Sequence, residues 1–276
     1  MDKKKKRWIV AIIIFIFLIL WVCVMRLKTV TYNIKSEKID KKIRVALITD
    51  LHGCWDGKEQ QNLIKAVERE NPDVVLLGGD IFDDNVPWEK SEITVKLLAE
   101  KYPCYYVTGN HEYWSNEVDS ILEIVEKYGI KVLSGTSDSI ELNGQKINIC
   151  GIDDPDVVDY TTNGIAFDKQ LKQAEEAANK DEFSILLSHR PELAEHYQKY
   201  SFDLVLCGHA HGGQWILPGV LNGLYAPHQG VFPKYAGGRY DFENQTLIVS
   251  RGLARESTFA PRIFNRPELV IVDIES

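Results

Sequence analysis

The chain has few cysteines and no excess of positive charge, and both features exclude certain classes of protein. Its 276 residues include five cysteines, none in a Cys-x-x-Cys spacing. We therefore expect scattered buried thiols rather than a disulfide framework. Acidic residues outnumber basic ones by 40 to 32, which gives a formal net charge of −8. This balance argues against nucleic acid as a partner, because nucleic acids attract basic surfaces.

The one strongly basic cluster, residues 3–7, precedes a run from Trp8 to Met25 that contains no charged residue. About 18 apolar residues can cross a bilayer as a helix, and Trp8 and Trp21 stand near the two ends, where interfacial aromatics are common. A buried core helix and a cleaved signal peptide are the alternatives. The region after the run lacks the small-residue pattern of a cleavage site, so we predict an uncleaved single-pass anchor.

These features divide the chain into a basic N-terminus with the transmembrane anchor (1–28), a polar tether (29–42) and one folded domain (43–276) without internal repeats. The basic N-terminus favours a cytoplasmic start, which would place the domain outside the cytoplasm at the cell membrane. Basic residues also follow the run, at Arg26, Lys28, Lys35, Lys38, Lys41 and Lys42. They dilute the charge bias, so the side of the membrane stays open.

Strand-like segments alternate with helical patterns through the first half of the domain. Apolar segments at 43–49, 73–77 and 104–107 are each followed by a polar loop and a helical pattern, the third helix being expected to begin at Ser115. Such alternation is typical of parallel βαβ units, whose sites lie at the carboxyl ends of the strands. Short strands around Asn143-Gly144 predict a hairpin, and later strands are expected at 183–187 and 202–206.

The loops after five of these strands carry side chains of the kind that bind metal ions. They are Asp50, His52, Asp80, Asn110, His189, His209 and His211. Imidazole, carboxylate and amide groups suit transition metals. Each residue alone has an ordinary explanation, such as an aspartate that caps a helix. Together, with glycines flanking several of them, they predict a metal centre, and seven ligands suit two ions better than one.

In chain order, the motifs Asp-x-His, Gly-Gly-Asp-x-x-Asp, Gly-Asn-His-Glu and Gly-His-x-His resemble those of the calcineurin-like metallophosphoesterases. The resemblance spans nearly all of residues 43–274. The run Ser250-Arg251-Gly252-Leu253 and the later Arg-Pro-Glu further resemble the membrane-anchored branch, related to UDP-2,3-diacylglucosamine hydrolase. This resemblance implies an α/β fold: a four-layer α/β/β/α sandwich of two mixed sheets with a dinuclear metal site, preceded by one transmembrane helix.

The resemblance also implies a role for each ligand-type residue. One metal would be held by Asp50, His52 and His211, the other by Asn110, His189 and His209, with Asp80 bridging the two. His111 would sit over the phosphate as general acid or charge stabiliser, with Asp83 orienting its ring. The two ions would be divalent or trivalent, and mixed oxygen and nitrogen ligands suit Mn, Fe or Zn without choosing among them.

The implied reaction is hydrolysis of a phosphodiester or pyrophosphate bond by direct attack of water held between the two ions. The branch resemblance indicates a lipid-linked or nucleotide-sugar lipid substrate such as UDP-2,3-diacylglucosamine. A phosphomonoesterase, or a protein or nucleotide phosphatase at the membrane, is the alternative within the family. A metal-dependent binding or scaffold protein without turnover is the alternative from another class, and the intact His111 argues against it.

Four tryptophans each follow a metal motif closely: Trp55, Trp88, Trp114 and Trp215. Loops at the same strand ends converge on one mouth, so we predict that these rings line its rim. An amphipathic aromatic rim would suit a substrate with a polar phosphate and an acyl tail. The alternative is that each ring covers a nearby helix or strand.

Overall fold

The computed structural model describes residues 5, 7, 8, 25–255 and 261–276. Within these residues the strands are β1 (Lys28–Lys35), β2 (Ile43–Ile48), β3 (Val74–Gly78), β4 (Cys104–Val107), β5 (Lys131–Val132), β6 (Thr136–Leu142), β7 (Gln145–Gly151), β8 (Phe183–Leu187), β9 (Leu204–Cys207), β10 (Tyr225–Ala226), β11 (Gly230–Val231), β12 (Gly238–Asp241), β13 (Thr246–Val249) and β14 (Glu268–Glu275). The helices are α1 (Gln61–Glu70), α2 (Glu89–Ala99), α3 (Asn110–Trp114), α4 (Val118–Lys127), α5 (Val157–Tyr160), α6 (Phe167–Ala177) and α7 (Ala194–Tyr197), with 3₁₀ turns at Lys58–Gln60, Pro191–Leu193 and His211–Gly213.

The strands form two six-stranded mixed sheets and one small hairpin. The first sheet has the order β1-β14-β2-β3-β4-β5, the second β12-β13-β9-β8-β7-β6, and β10 pairs with β11. Strands β2 to β5 are mutually parallel, as are β7, β8, β9 and β13. The predicted α/β fold with two mixed sheets is confirmed, and so is the hairpin between β6 and β7.

The central strands are apolar on both faces because both faces are covered. In β2, Val45 and Leu47 join the core between the two sheets, whereas Ala46 and Ile48 pack with Leu63 and neighbouring side chains of α1. On the outer face of the second sheet, strand residues pack with α6 and α7. The layers therefore run helix, sheet, sheet, helix, with strand ends of both sheets available to one site.

The polar tether predicted at 29–42 is wrong over most of its length. Strand β1 pairs in parallel with β14 along eight residues, and Ile34 and Ile39 are buried in the core between the sheets. The alternation of apolar and polar residues from Val30 to Ile34 is a strand period. Strand β1 is therefore part of the folded sheet rather than of a tether.

Two further predictions concern the transmembrane anchor and the third helix. The predicted anchor, including Trp21, lies almost wholly outside the described residues, and among those described no helix is both long and apolar enough to span a membrane. The predicted third helix is found as α4 but begins at Val118 rather than directly after Ser115, and the separate short helix α3 precedes it, with Asn116 in a left-handed backbone (φ 58°) between the two. Asn110 and His111 consequently stand on the short helix α3.

Candidate metal centre

The two sheets are joined at the carboxyl ends of their central strands, where the predicted ligands lie. The backbone N–H of His209, after β9, donates to Oδ1 of Asp50, after β2 (2.8 Å). From the second sheet, Nδ1 of His189 donates to the carbonyl oxygen of Gly78, at the end of β3 (2.8 Å). Because these bonds cross between the sheets, the site is assembled from both halves of the sandwich.

The loops that carry the ligands are held in an unfavourable backbone conformation. Asp50, His52, Asp80, His209 and His211 all have φ between 46° and 64°, the left-handed region that residues with a Cβ seldom adopt. Close packing accompanies this geometry, since a Cβ at Gly109 would lie 2.6 Å from the backbone nitrogen of Asp80. Strained non-glycine residues cluster where function requires their placement, and here they coincide with the predicted ligands.

Two groups of ligand atoms share the carboxylate of Asp80. Asp50, His52, Asp80 and His211 form one group, and Asp80, His189 and His209 form the other, with ligand atoms within 4.8 Å of one another. Oδ2 of Asp80 lies 3.6 Å from Nε2 of His52 and 3.0 Å from Nε2 of His189. Its other oxygen accepts the backbone N–H of His111 (3.0 Å). One oxygen of Asp80 thus faces both groups.

Four of the atoms that could bind a metal ion are buried without a hydrogen-bond partner among the described residues. They are Asp50 Oδ2, His52 Nε2, Asn110 Oδ1 and His211 Nδ1, while Asp80 Oδ2 faces the ring nitrogens of His52 and His189. A buried polar atom left without a partner is costly, and a buried carboxylate more so. Cations placed among these atoms would satisfy them. The residues present therefore fit a metal centre on chemical grounds.

Hydrogen bonds on the far side of two rings fix which nitrogen faces the centre. His189 uses Nδ1 for its bond to Gly78, which leaves Nε2 toward Asp80. His52 uses Nδ1 for Oδ2 of Asp83 (2.8 Å), which leaves its unpartnered Nε2 inward. Metal-binding histidines are ordinarily oriented in this way by a carbonyl or carboxylate.

The expected pairing of Asp83 with His111 is wrong. Asp83 hydrogen-bonds His52, and its nearest oxygen lies 3.5 Å from Nδ1 of His111. The next residue, Asp84, lies 2.5 Å from that nitrogen. The motif predicted a carboxylate for the His111 ring but not which of two adjacent aspartates supplies it, because that depends on the turn the chain makes there.

The electrostatic environment keeps two imidazoles neutral and Asp80 ionised, whereas Asp80, against the effect of burial, raises the pKa of His189 to about 10, so His189 would have to release a proton to bind metal. Burial, and then the charges of neighbouring basic groups, hold the pKa of His209 and of His211 well below its ordinary value. For Asp80, burial raises the pKa, but the adjacent His189 outweighs it and holds that pKa well below its usual range. Neutral imidazole and carboxylate are the forms that bind metal.

A buried carboxylate absent from the predicted site braces the Asp80 turn. Glu112, fully buried, accepts the hydroxyl hydrogen of Tyr106 (2.6 Å). It also accepts the backbone N–H groups of Asp80, Ile81, Phe82 and Gly109, at 2.8 to 3.1 Å. Glu112 is the last residue of the Gly-Asn-His-Glu motif, and its position in that motif is the sequence feature that could have identified it.

Two further residues beside the candidate centre, Arg190 and His228, were not predicted from the sequence. Arg190 is buried and donates to both carboxylate oxygens of Asp154, at 2.5 and 2.7 Å. It also donates to Nδ1 of His228 (2.7 Å), whose ring stacks on that of His209 with centroids 5.2 Å apart. His228 lies in the hairpin between β10 and β11, far from any strand-end motif, so nothing local in the sequence marked it.

The four tryptophans divide into two kinds. Trp114 and Trp215 are exposed, and the Trp114 ring lies 4.8 Å from that of His111. Trp88 packs edge-on against Phe82 in the core under the first sheet, as the ordinary alternative predicts. Trp55 is partly buried with the Nζ of Lys90 5.9 Å from its ring. Of the four rings, that of Trp114 contacts a predicted site residue, and the shared rim stays a prediction.

The cysteines stay apart from this chemistry. Cys54, Cys104, Cys150 and Cys207 are free, which confirms the expectation of unpaired thiols for the described part of the chain. Burial raises the pKa of Cys104 to about 12 and that of Cys150 to about 11. Such thiols are inert as ligands and nucleophiles.

Comparison with known proteins agrees with this geometry. The family model described as calcineurin-like phosphoesterase matches residues 43–213. The chain is 31% identical to an uncharacterized metallophosphoesterase of Aquifex aeolicus over 260 residues, which cover 90% of this chain and 92% of that one. It is 30% identical over 202 residues to a Danio rerio transmembrane protein with metallophosphoesterase domain, covering 68% of this chain but 45% of that protein. The crystal structure of TT1561 of Thermus thermophilus shares the fold, with TM-score 0.50 and 14% identity over 78% of this chain and 92% of that one.

Proposed function

The chain belongs to the calcineurin-like phosphoesterase family and is a hydrolase of phosphoester bonds, and we propose that it is a membrane-anchored, dinuclear enzyme that cleaves a phosphodiester or pyrophosphate bond in a lipid-linked substrate. The observation that carries the dinuclear part is the position of Asp80. Its buried Oδ2 faces Nε2 of His52 on one side (3.6 Å) and Nε2 of His189 on the other (3.0 Å).

In this proposal Asp50, His52 and His211 hold one ion, Asn110, His189 and His209 hold the other, and Asp80 is shared. Two ions bound there would activate a water and neutralise charge on the phosphoryl group. Water oxygen then bonds to phosphorus while the bond to the departing oxygen breaks. That departing oxygen needs a proton or a positive charge, and the chain must supply it from a side chain at the mouth.

His111 is the residue placed for that task. Its Nδ1 is engaged by Asp84 (2.5 Å), which leaves Nε2 as the nitrogen available to a substrate oxygen. Its backbone N–H is fixed to Asp80 (3.0 Å), so the ring is tied to the shared ligand. A positioned acid–base group of this kind accelerates a reaction by roughly 10²–10⁴-fold.

The strand register supports a substrate at the membrane. Strand β14 is antiparallel to β2, with Val270 opposite Leu47 near the carboxyl end of β2. Strand β1 is parallel to β14 and starts with Lys28 opposite Glu268. The chain therefore joins the sheet at the end that carries the ligand loops. If residues 8–25 lie in a bilayer, the metal centre faces that bilayer from close by.

The loop after His211 supports an apolar substrate group. Between Trp215 and Phe232 it exposes several large apolar side chains, among them Val220 (79% exposed) and Phe232 (67%). Exposed apolar surface of this kind marks interaction with lipid, ligand or protein. The name of the Danio rerio relative, a transmembrane protein, also favours a membrane location. We place the domain outside the cytoplasm, because the basic residues 3–7 resist translocation.

The test is a substrate screen on the full chain in neutral detergent, with metal content measured on the same sample. We expect Mn-, Fe- or Zn-dependent cleavage of bis(p-nitrophenyl) phosphate in preference to p-nitrophenyl phosphate. UDP-2,3-diacylglucosamine should be cleaved far better than UDP-N-acetylglucosamine, which lacks the acyl chains. Preference for the monoester would contradict the diesterase proposal. Equal cleavage of the two nucleotide sugars would contradict the lipid proposal and leave the hydrolase intact.

A further inference from the structure

We propose that a cavity beside the N-terminal start of the fold binds the phosphate-bearing head group of an acidic phospholipid. The cavity has a volume of about 590 Å³, and four of its lining side chains are basic: Arg26, Lys65, Arg69 and Arg255. This volume lies within the range of roughly 300–1,000 Å³ that small-molecule sites occupy. The proposal rests on the membrane anchor proposed above and goes beyond the catalytic site.

Among the described residues, the two acidic side chains that line the cavity are already paired, which leaves Arg26, Lys65 and Arg69 without a carboxylate partner in the lining. Asp56 is bound by Arg255 and by Asn62, and Glu68 is bound by Lys101. Among the described residues, Lys65 reaches the amide oxygen of Gln61 (3.5 Å) and Arg69 the carbonyl oxygen of Lys65 (3.2 Å). Neither of these two partners is an anion.

This local excess of positive charge stands against an acidic protein, whose formal net charge is −8. The cavity therefore cannot owe its sign to the chain as a whole. Guanidinium and ammonium groups arranged around a cavity suit a phosphate, and guanidinium can bind it with two parallel hydrogen bonds. The chemical class of the ligand follows from this match.

The cavity is built on fixed backbone rather than on a loose terminus. The side chain of Arg266 donates to the carbonyl oxygens of Arg26 (2.8 Å) and Leu27 (3.1 Å). Lys65 and Arg69 lie one turn apart on the exposed face of α1, whose opposite face is buried against the sheet through Leu63 and Val67. The spacing of the basic groups is thus set by the fold.

The position of the cavity selects a lipid over a free anion. Arg26 is the first charged residue after the apolar run of residues 8–25, so an anchored chain would hold the cavity at the head-group level. An acidic leaflet attracts basic groups near its surface, and the attraction fades within a Debye length of about 8–10 Å. The lipid is also the anion present at high local concentration there.

The experiment measures binding of dihexanoyl phosphatidylglycerol, below its micelle concentration, to the full chain in neutral detergent by titration calorimetry. EDTA keeps the metal centre unloaded in one series. Lys65→Ala combined with Arg69→Ala should weaken binding roughly tenfold, since each cation near an acidic head group contributes several-fold. The matched control, Lys146→Ala with Lys199→Ala, removes two exposed cations elsewhere and should bind as the unaltered chain does. Dihexanoyl phosphatidylcholine and inorganic phosphate should bind at least tenfold more weakly than the acidic lipid.

Each other outcome overturns the proposal in a recognisable way. Equal binding by the Lys65/Arg69 variant, or equal weakening by the control, would refute a site in this cavity. Inorganic phosphate binding as tightly as the lipid would make it a free-anion site. Binding that EDTA abolishes would belong to the metal centre. Cleavage of bis(p-nitrophenyl) phosphate in the same samples separates this proposal from the proposed function, because Lys65 and Arg69 take no part in catalysis.

Discussion

The carboxylate of Asp84 lies 2.5 Å from Nδ1 of His111, whereas the adjacent Asp83 lies 2.8 Å from Nδ1 of His52. Two neighbouring aspartates therefore serve two different histidines. In the proposed function His111 transfers a proton and His52 binds metal, so substitutions of the two aspartates should have different effects.

Asp84→Asn should lower kcat by roughly tenfold or more while both metals stay bound, because Asp84 orients an acid–base group rather than a ligand. Asp83→Asn should instead weaken metal affinity, by roughly 10–100-fold, since it removes the partner of a metal-binding histidine. Activity assays and metal analysis on both variants check this. Metal loss in Asp84→Asn with normal content in Asp83→Asn would reverse the two roles.

Asp80→Asn should abolish turnover and reduce metal content, because both proposed ions lose a shared anionic ligand. The backbone of Asp80 is braced independently by Glu112 (3.0 Å), so the variant should still fold. Circular dichroism provides that control. Near-normal activity with two metals per chain would show that Asp80 is not shared.

Glu112→Gln should destabilise the fold by about 2–4 kcal/mol, since a buried acceptor of four backbone N–H groups and one hydroxyl loses its charge. Tyr106→Phe removes only one of these bonds and should cost about 1 kcal/mol, near the average for one hydrogen bond. Thermal unfolding in detergent compares the two. Equal stability losses would mean that the backbone bonds to Glu112 contribute little.

The pair Asp273–Arg44 should make stability depend on acid pH. Both carboxylate oxygens of Asp273 accept hydrogen bonds from Arg44 (2.7 and 2.8 Å), and this bonding, despite burial, holds the pKa of Asp273 below its ordinary value. A lowered pKa stabilises the folded state at neutral pH, and the contribution is lost as pH falls below the unfolded pKa of about 3.9.

Asp273→Asn should accordingly destabilise the protein by about 1–3 kcal/mol at pH 7, and the difference should shrink between about pH 4 and pH 2. Asp241→Asn removes an exposed partner of Arg239 and should change stability by less than about 1 kcal/mol. Denaturant unfolding at several pH values measures both. A difference for Asp273→Asn that is constant with pH would exclude the linkage.

Trp215→Ala should raise KM for UDP-2,3-diacylglucosamine several-fold more than KM for bis(p-nitrophenyl) phosphate, because its exposed ring belongs to the apolar loop that follows His211. Tyr160→Ala, which removes another exposed ring, serves as the control and should affect neither substrate. Trp88 is unsuitable for this test because it packs in the core. Parallel changes in KM for both substrates would argue against a lipid-facing loop.

The order of the central strands and most of the candidate ligands could be predicted from the amino-acid sequence. Apolar segments ending in Asp50, Asp80 and Asn110 predicted strands whose carboxyl ends meet at one edge, because parallel pairing leaves no other arrangement. His209 and His211 follow another apolar segment, at 202–206, and were predicted as ligands for the same reason. These signals are local, because both the apolar pattern of a strand and the residues able to bind metal can be recognised within a few consecutive positions.

Contacts between segments that are distant in sequence could not be predicted, because they depend on how the chain folds. The choice of Asp84 over Asp83 depends on the turn after β3, and the bonds of Arg190 to His228 join residues 38 positions apart. Strand β1 became part of the sheet because β14, at the other end of the chain, offers it a parallel edge. A strand with one polar face can be mistaken for a linker in the sequence. Its burial and its register depend on the strand with which it pairs, and that partner is distant in sequence.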